Sequence, residues 1–163
     1  MNKEPIFRFQ PIFELNQQDT TYRKLSTNHV GVHRIGDQEV LKVEPEALSL
    51  IASQAVRDIS HLFRIPHLQQ VRNILDDPEA SDNDRFVALQ MLKNANVAAG
   101  MILPSCQDTG TAIVLGKKGQ NVFTSGNDEE SLSRGIFETY TTTNLRYSQM
   151  APLSMYEEKN TRT

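Results

Sequence analysis

The sequence is poor in cysteine, with a single one, Cys106, among its 163 residues. One cysteine cannot form a disulfide within the chain, which excludes a small secreted fold held together by disulfides. A reducing compartment suits a chain of this kind, so we expect a cytoplasmic protein.

Long apolar runs and an excess of basic charge are also missing. No stretch approaches the ~20 apolar residues of a membrane-spanning helix. Residues 1–10 hold too short an apolar stretch for a signal peptide. The net charge of −3 argues against a nucleic-acid-binding protein, which would show a basic patch. We therefore expect neither a membrane nor a nucleic acid as partner.

The composition that remains, 38% hydrophobic and 23% charged residues, is typical of a soluble globular protein. The length predicts a single domain over residues 1–163. Pro5 and Pro11 interrupt an apolar run, so residues 1–26 are predicted to form an extended arm. Residues 144–163 are predicted to form a polar, mostly irregular tail.

Alternating apolar and polar residues over 28–43, with Gly36 and Asp37 in the middle, predict a β-hairpin. Four helices follow, and their predicted start signals are Pro45, Pro66, a capping box of Ser81 with Asp84, and Asn127. Apolar spacing predicts which residues face inward on three of them: Leu48, Ile51, Ala55, Ile59, Leu62; Ala88, Leu89, Leu92, Ala95, Ala99; and Leu132, Ile136, Phe137, Tyr140. Gly135, inside the last helix, predicts a close packing contact.

Between the third and fourth helices, residues 101–103 and 111–115 are apolar and predict buried strand segments. Residues 116–119 (GKKG) predict a tight hairpin turn into a strand over 121–124. The expected order is arm, small β unit, three helices, hairpin and helix. This is an α+β (mixed α/β) fold, rich in helix with a small sheet.

The densest group of reactive side chains is residues 104–111 (PSCQDTGT), between the two predicted strands. A thiolate that binds metal and a carboxylate that moves protons, here Cys106 and Asp108, form a chemically sensible pair. The alternative is a buried cysteine that acts as a small hydrophobe. The Asp-Thr-Gly-Thr string also occurs in aspartic proteases, but Gln107 precedes the aspartate and the helices disagree with an all-β protease.

Three other features have a functional and a structural interpretation. Arg146 could bind a substrate carboxylate with its guanidinium fork, or be an ordinary helix-end arginine. Residues 116–119 could cradle a phosphate, but they lack the full P-loop spacing. His29 and His33 are four residues apart in a β-like stretch with no third ligand nearby, which favours structural or surface histidines.

Several blocks together resemble the class I, iron–sulfur fumarate hydratases. The strongest are residues 102–112 (ILPSCQDTGTA) and 144–153 (NLRYSQMAPL). Further matching blocks, in the same order along the chain, are 43–48 (VEPEAL), 76–81 (DDPEAS), 116–120 (GKKGQ) and 132–135 (LSRG).

This resemblance implies a cytoplasmic [4Fe-4S] hydro-lyase of the tricarboxylic acid cycle that interconverts fumarate and (S)-malate. Cys106 matches the first cluster ligand of the family. Gln107 and Arg146 match residues that contact the substrate carboxylates. Asp108 matches a substrate-binding residue placed for proton transfer.

The chain departs from the family because the other two cluster cysteines are absent. One cysteine cannot hold a cubane cluster, which needs about four ligands. The chain alone is therefore expected to be inactive, and to need the C-terminal part of the enzyme or a partner chain, as a homodimer in full-length form. Tartrate dehydratase and mesaconate hydratase are related alternatives. A non-catalytic binding or regulatory module on the same fold is another.

Overall fold

The computed structural model describes residues 7–10, 22–106, 110–146 and 148–162. It contains helices and small sheets, so the α+β prediction is confirmed. The helices are α1 (Pro45–His61), α2 (Ile65–Asn73), α3 (Asp82–Ala98) and α4 (Asp128–Thr142). The strands are β1 (Val30–Ile35), β2 (Gln38–Val43), β3 (Val122–Thr124), β4 (Ser148–Pro152) and β5 (Glu158–Arg162).

The predicted hairpin is confirmed as the antiparallel pair β1–β2. Ile35 faces Gln38 across the turn, and Gly36 has a φ of 59°, a left-handed conformation that glycine adopts without steric cost. β3 adds to the other edge of β2 in parallel, which gives a three-stranded sheet in the order β1-β2-β3. The three helices α1, α2 and α3 lie between β2 and β3 in the sequence.

The strand predictions over residues 101–103 and 111–115 are wrong. Neither segment belongs to a strand, and Ile102, Leu103, Ile113, Val114 and Leu115 are all exposed. The hairpin expected across residues 116–119 is therefore absent, and β3 pairs with β2 instead. An apolar run indicates a strand only where a pairing partner and a covering layer exist.

α1 and α4 pack against each other at very short range. A Cβ added at Gly135 would lie 2.2 Å from the Ser49 carbonyl oxygen, so only glycine fits this position of α4. The Ser49 hydroxyl donates to the Ser131 carbonyl at 2.7 Å, and the Thr139 and Ser53 hydroxyls are 2.7 Å apart. The predicted packing contact at Gly135 is confirmed.

The close crossing changes which helix faces are buried. The buried residues are Ala52, Val56 and His61 in α1; Ala88, Ala95 and Ala98 in α3; and Ser131, Gly135 and Thr139 in α4. The predicted inward faces are confirmed only in part. Among the predicted residues, Ala88 and Ala95 are buried; five are half-buried, namely Leu48, Leu92, Leu132, Ile136 and Tyr140; the others are exposed, Ile51, Ile59 and Phe137 among them. Small residues permit a close approach that bulky ones would prevent.

The helix starts agree with the predicted signals. Ser81 and Asp84 form a capping box at α3, and the Asn127 side chain accepts from the backbone N–H groups of Glu129 and Glu130 at α4. The Ser81 hydroxyl and backbone N–H both donate to Asp84, and these hydrogen bonds lower the pKa of the Asp84 carboxyl. Within the described ranges, none of the helices has the length and apolar character needed to cross a bilayer.

The tail expected to be irregular instead contains an antiparallel hairpin, β4–β5. Its turn is closed by hydrogen bonds from the backbone N–H groups of Leu153 and Ser154 to the Glu157 carbonyl. In the arm predicted over 1–26, the described residues 7–10 and 22–26 form neither helix nor strand. The remainder of that arm lies outside the described residues.

Candidate functional site

The loop that carries Cys106 is fixed from two sides. The backbone N–H and the hydroxyl of Ser105 both donate to the Ser60 carbonyl near the end of α1, at 2.8 and 3.1 Å. The Asn94 side chain of α3 donates to the Ser105 carbonyl at 2.8 Å. These bonds hold the residue before Cys106 and leave the cysteine exposed. The alternative of a buried hydrophobic cysteine is wrong.

Gln107 and Asp108 lie outside the described residues, so their predicted roles remain predictions. Arg146 is described and exposed. It follows Leu145, which is only 4% exposed and anchors this segment in the body of the protein. The burial of Leu145 limits the positions that the backbone of Arg146 can take.

The Asn144 side chain joins the two segments that carry the predicted site. The Asn144 amide donates to the Ile102 carbonyl at 2.9 Å. Ile102 is four residues before Cys106, and Asn144 is two residues before Arg146. The fold thus brings together two blocks that lie some forty residues apart in the sequence. The part played by Asn144 was not predictable, because no local pattern identifies the carbonyl that a given asparagine will find.

The loop over residues 116–119 is attached to α4 through Lys118. Its ammonium group donates to the Asp128 carboxylate at 2.6 Å and to the Thr124 hydroxyl at 3.2 Å. Lys118, followed by the Thr124 hydroxyl, lowers the pKa of Asp128. Lys118 therefore binds a carboxylate of its own chain, which speaks against the phosphate-binding interpretation of this loop.

Three side chains of types that can bind a metal ion lie close together in the hairpin region, where only the pair His29 and His33 was apparent from the sequence. Ligand atoms of His29, Glu44 and Glu46 lie within 4.8 Å of one another, with His29 Nδ1 3.0 Å from a Glu44 carboxylate oxygen. The β1–β2 register brings residue 29 opposite residue 44. The hairpin predicted from the sequence, with its turn at Gly36 and Asp37, therefore already placed residues 29 and 44 opposite each other. All three side chains are exposed, and the direct contact between His29 and Glu44 accounts for the arrangement.

Two open grooves occur on the described surface, and neither is lined by Cys106 or Arg146. The larger, of about 650 Å³, lies between α1 and α4 and is lined by residues of both charges, including Glu46, Glu130 and Arg134. The smaller, of about 480 Å³, lies beside the acidic loop before α3. The charged residues lining the smaller groove are all acidic. A groove of mixed charge offers no concentrated charge for a small anion and an acidic groove repels one, so neither replaces the Cys106 loop as the candidate site.

The donor set of the chain fits one corner of an iron–sulfur cluster. Cys106 supplies an exposed thiol, and thiolates are the usual ligands of such clusters. A cluster needs about four ligands, so the others would have to come from another polypeptide segment or from a small molecule.

A family model described as fumarate hydratase (Fumerase) matches residues 49–163. The chain is 55% identical over 163 residues, its whole length, to the aerobic class I fumarate hydratase of Escherichia coli K12. It is 52% identical to the anaerobic class I enzyme of that strain over the same length, and 52% identical over 160 residues to the mitochondrial fumarate hydratase 1 of Leishmania major. The chain spans only about 30% of the length of these relatives. This agreement, with the helices observed, leaves no support for the aspartic-protease interpretation.

Proposed function

Because this chain belongs to the fumarate hydratase (Fumerase) family, we propose that it forms part of a hydro-lyase active site that converts fumarate and water to (S)-malate. The observation that carries the proposal is the hydrogen bond from Asn144 to Ile102. It links the segments that carry Cys106 and Arg146. A site for a small dicarboxylate would need the thiol of one and the guanidinium of the other close to each other.

Each candidate residue has a task that follows from its chemistry. The Cys106 thiolate would hold one iron of a [4Fe-4S] cluster. When bound, such a cluster supplies an iron that acts as a Lewis acid towards substrate oxygens. Arg146 would orient a substrate carboxylate through paired N–H donors, with the Gln107 amide as a further donor. Asp108 would bind the substrate and move a proton, for which its surroundings must tune its pKa.

The remaining cluster ligands would come from the part of the family polypeptide that this chain does not span. We propose that the complete enzyme is a cytoplasmic homodimer in the tricarboxylic acid cycle. A fixed loop such as residues 101–106 would help to keep the cluster ligand in place. The Ser105 and Asn94 hydrogen bonds provide that rigidity.

The test is anaerobic reconstitution with iron and sulfide of two proteins. One is this chain alone. The other is a chimera in which the chain replaces its matching stretch in the aerobic E. coli enzyme. We expect cluster absorption and fumarate hydration only in the chimera, and loss of both on Cys106→Ser. A folded chimera with neither property would favour the non-catalytic module. Parallel assays with tartrate and mesaconate would detect the related hydro-lyases.

A second experiment tests the tether between the two segments. Asn144→Asp replaces the donor by a carboxylate that cannot donate to the Ile102 carbonyl, so the segment of Arg146 should shift. A displacement of about 1 Å can cost about 100-fold in rate, and we expect a loss of that order in kcat/KM with the cluster absorption retained. Asn121→Asp, which makes the same charge change at another exposed position, is the control. Equal effects of the two variants would contradict the role of Asn144.

A further inference from the structure

Residues 111–115 (TAIVL) are in conflict with their surroundings. Three consecutive residues have bulky aliphatic side chains, and β-branched and aliphatic residues favour strands. The structure leaves them outside any described strand, with Ile113, Val114 and Leu115 exposed to 80%, 50% and 86%. A segment whose local preference contradicts its environment marks a place where part of that environment is missing.

The pattern also specifies what is missing. In an extended chain Ile113 and Leu115 share one face and Val114 takes the other. Both faces are apolar, as in strands that are covered on both sides within a larger sheet. An edge strand with one solvated face would alternate apolar and polar residues instead. The missing surroundings are therefore a pairing strand and two apolar layers.

The backbone conformation before the segment and an ion pair after it restrict the path of the chain. Gly110 before it has a φ of 59°, a left-handed conformation that sets the chain direction after the Cys106 loop. After it, Lys118 is bound to Asp128 at the start of α4. The Lys118 bond restrains the chain close to the end of the segment, which lowers the entropic cost of docking a partner there.

We propose that residues 111–115 form a strand of a sheet completed by the part of the fumarate hydratase polypeptide that lies outside the matched stretch. The relatives are more than three times as long as this chain, since it spans about 30% of them. They thus contain ample polypeptide for a strand and its covering layers. This inference rests on the proposed function, because the partner is the rest of that enzyme.

The pairing would also act on the site. Residue 111 is five positions after Cys106, so a strand locked into a sheet would fix the loop of Cys106 from its second end. Ser105 already fixes the first end through Ser60. Docking of the remaining polypeptide would therefore position the proposed cluster ligand as well as cover the apolar segment.

The test is hydrogen–deuterium exchange of the amides of residues 112–115, in this chain alone and in the chimera, both prepared without iron. We expect exchange at least 100-fold slower in the chimera, because strand pairing protects amides. Equal exchange in both proteins would overturn the proposal. So would protection in the isolated chain that rises with its concentration, because the occupant would then be a second copy. Since no cluster is present, the result is independent of whether the enzyme hydrates fumarate.

Two variants provide a second test of the proposed strand. Leu115→Asp should lower the melting temperature of the chimera and leave that of the isolated chain within about 1 °C, because the side chain is buried only in the former. The control is Thr27→Asp, which adds the same carboxylate at an exposed polar residue outside the helices and strands. Two results would overturn the proposal. One is a fall in the melting temperature of the chimera that is no larger for Leu115→Asp than for the control. The other is an equal fall for Leu115→Asp in the chimera and in the isolated chain.

Discussion

At the scale of single residues, small polar side chains do much of the joining in this protein. Hydroxyl groups of Ser49, Ser53 and Thr139 hold α1 against α4, and Asn144 joins the two site segments. Gly135 makes the helix crossing possible because its missing side chain leaves room for the Ser49 backbone. The serine, threonine and asparagine side chains are short, so they form hydrogen bonds between elements that approach each other closely.

Gly135→Ala should therefore destabilise the chain although alanine is the better helix former. The added Cβ would lie 2.2 Å from the Ser49 carbonyl oxygen, which forces the helices apart. Overpacking of this kind costs about 1–3 kcal/mol, more than the ~1 kcal/mol gained in helix propensity. Urea unfolding would measure the change. Gly116→Ala is the control, since a Cβ there meets nothing within 4 Å; comparable losses in both variants would contradict the argument.

At the scale of elements, hydrogen bonds to carboxylates fix the starts of two helices. Lys118 connects the loop before β3 to the start of α4 through Asp128. The capping box of Ser81 and Asp84 fixes the start of α3. Both carboxylates lie in the first turn of a helix, where a negative charge is favoured by the helix dipole.

The lowered pKa values of the carboxyls at these two helix starts predict a loss of stability in acid. The folded-state pKa of Asp128 is lowered from 3.8, mainly by Lys118, and that of Asp84 from the same value by Ser81. A lowered pKa stabilises the fold above the unfolded value, and this contribution disappears as the pH falls through the folded value. Melting temperatures from about pH 6 to about pH 2.5 should therefore fall on the acid side.

Asp128→Asn should reduce that acid-side slope, while Asp84 maintains part of it. Asp37→Asn, a change at an exposed turn carboxylate, should keep the slope of the unmodified chain. The interpretation fails if Asp128→Asn leaves the slope unchanged.

At the scale of the whole molecule, the interior is built from small side chains. The buried hydrophobic residues among those described are Val40, Ala52, Val56, Val71, Ala88, Ala95, Ala98 and Leu145. His61, bonded to the Arg57 carbonyl, is the largest side chain buried almost completely in this part of the chain. Large aliphatic and aromatic side chains of the described residues lie mostly on the surface, as the proposed docking of further polypeptide requires.

The guanidinium m-value should report this directly, because it scales with the surface exposed on unfolding. We expect a lower m-value per residue for the isolated chain than for the chimera, in which the exposed apolar side chains become buried. Equal values per residue would mean that the isolated chain already buries as much surface as the larger protein.

The sequence alone determined the features that depend on near neighbours. The Gly36 turn, the Ser81 capping box and the Asn127 cap were predictable because each is satisfied by residues within a few positions. The family was likewise indicated by the spaced blocks around Cys106 and Arg146, which are properties of the sequence itself. Local backbone demands are met locally, so local sequence encodes them.

Only the tertiary structure decided what depends on distant partners. The buried face of α4 is its small-residue face, because Ser49 of α1 lies against Gly135. The strand expected over residues 111–115 is not formed, and Asn144 bonds to Ile102 across the fold. The physical reason is that burial and pairing are properties of two surfaces in contact, and a one-dimensional pattern describes only one of them.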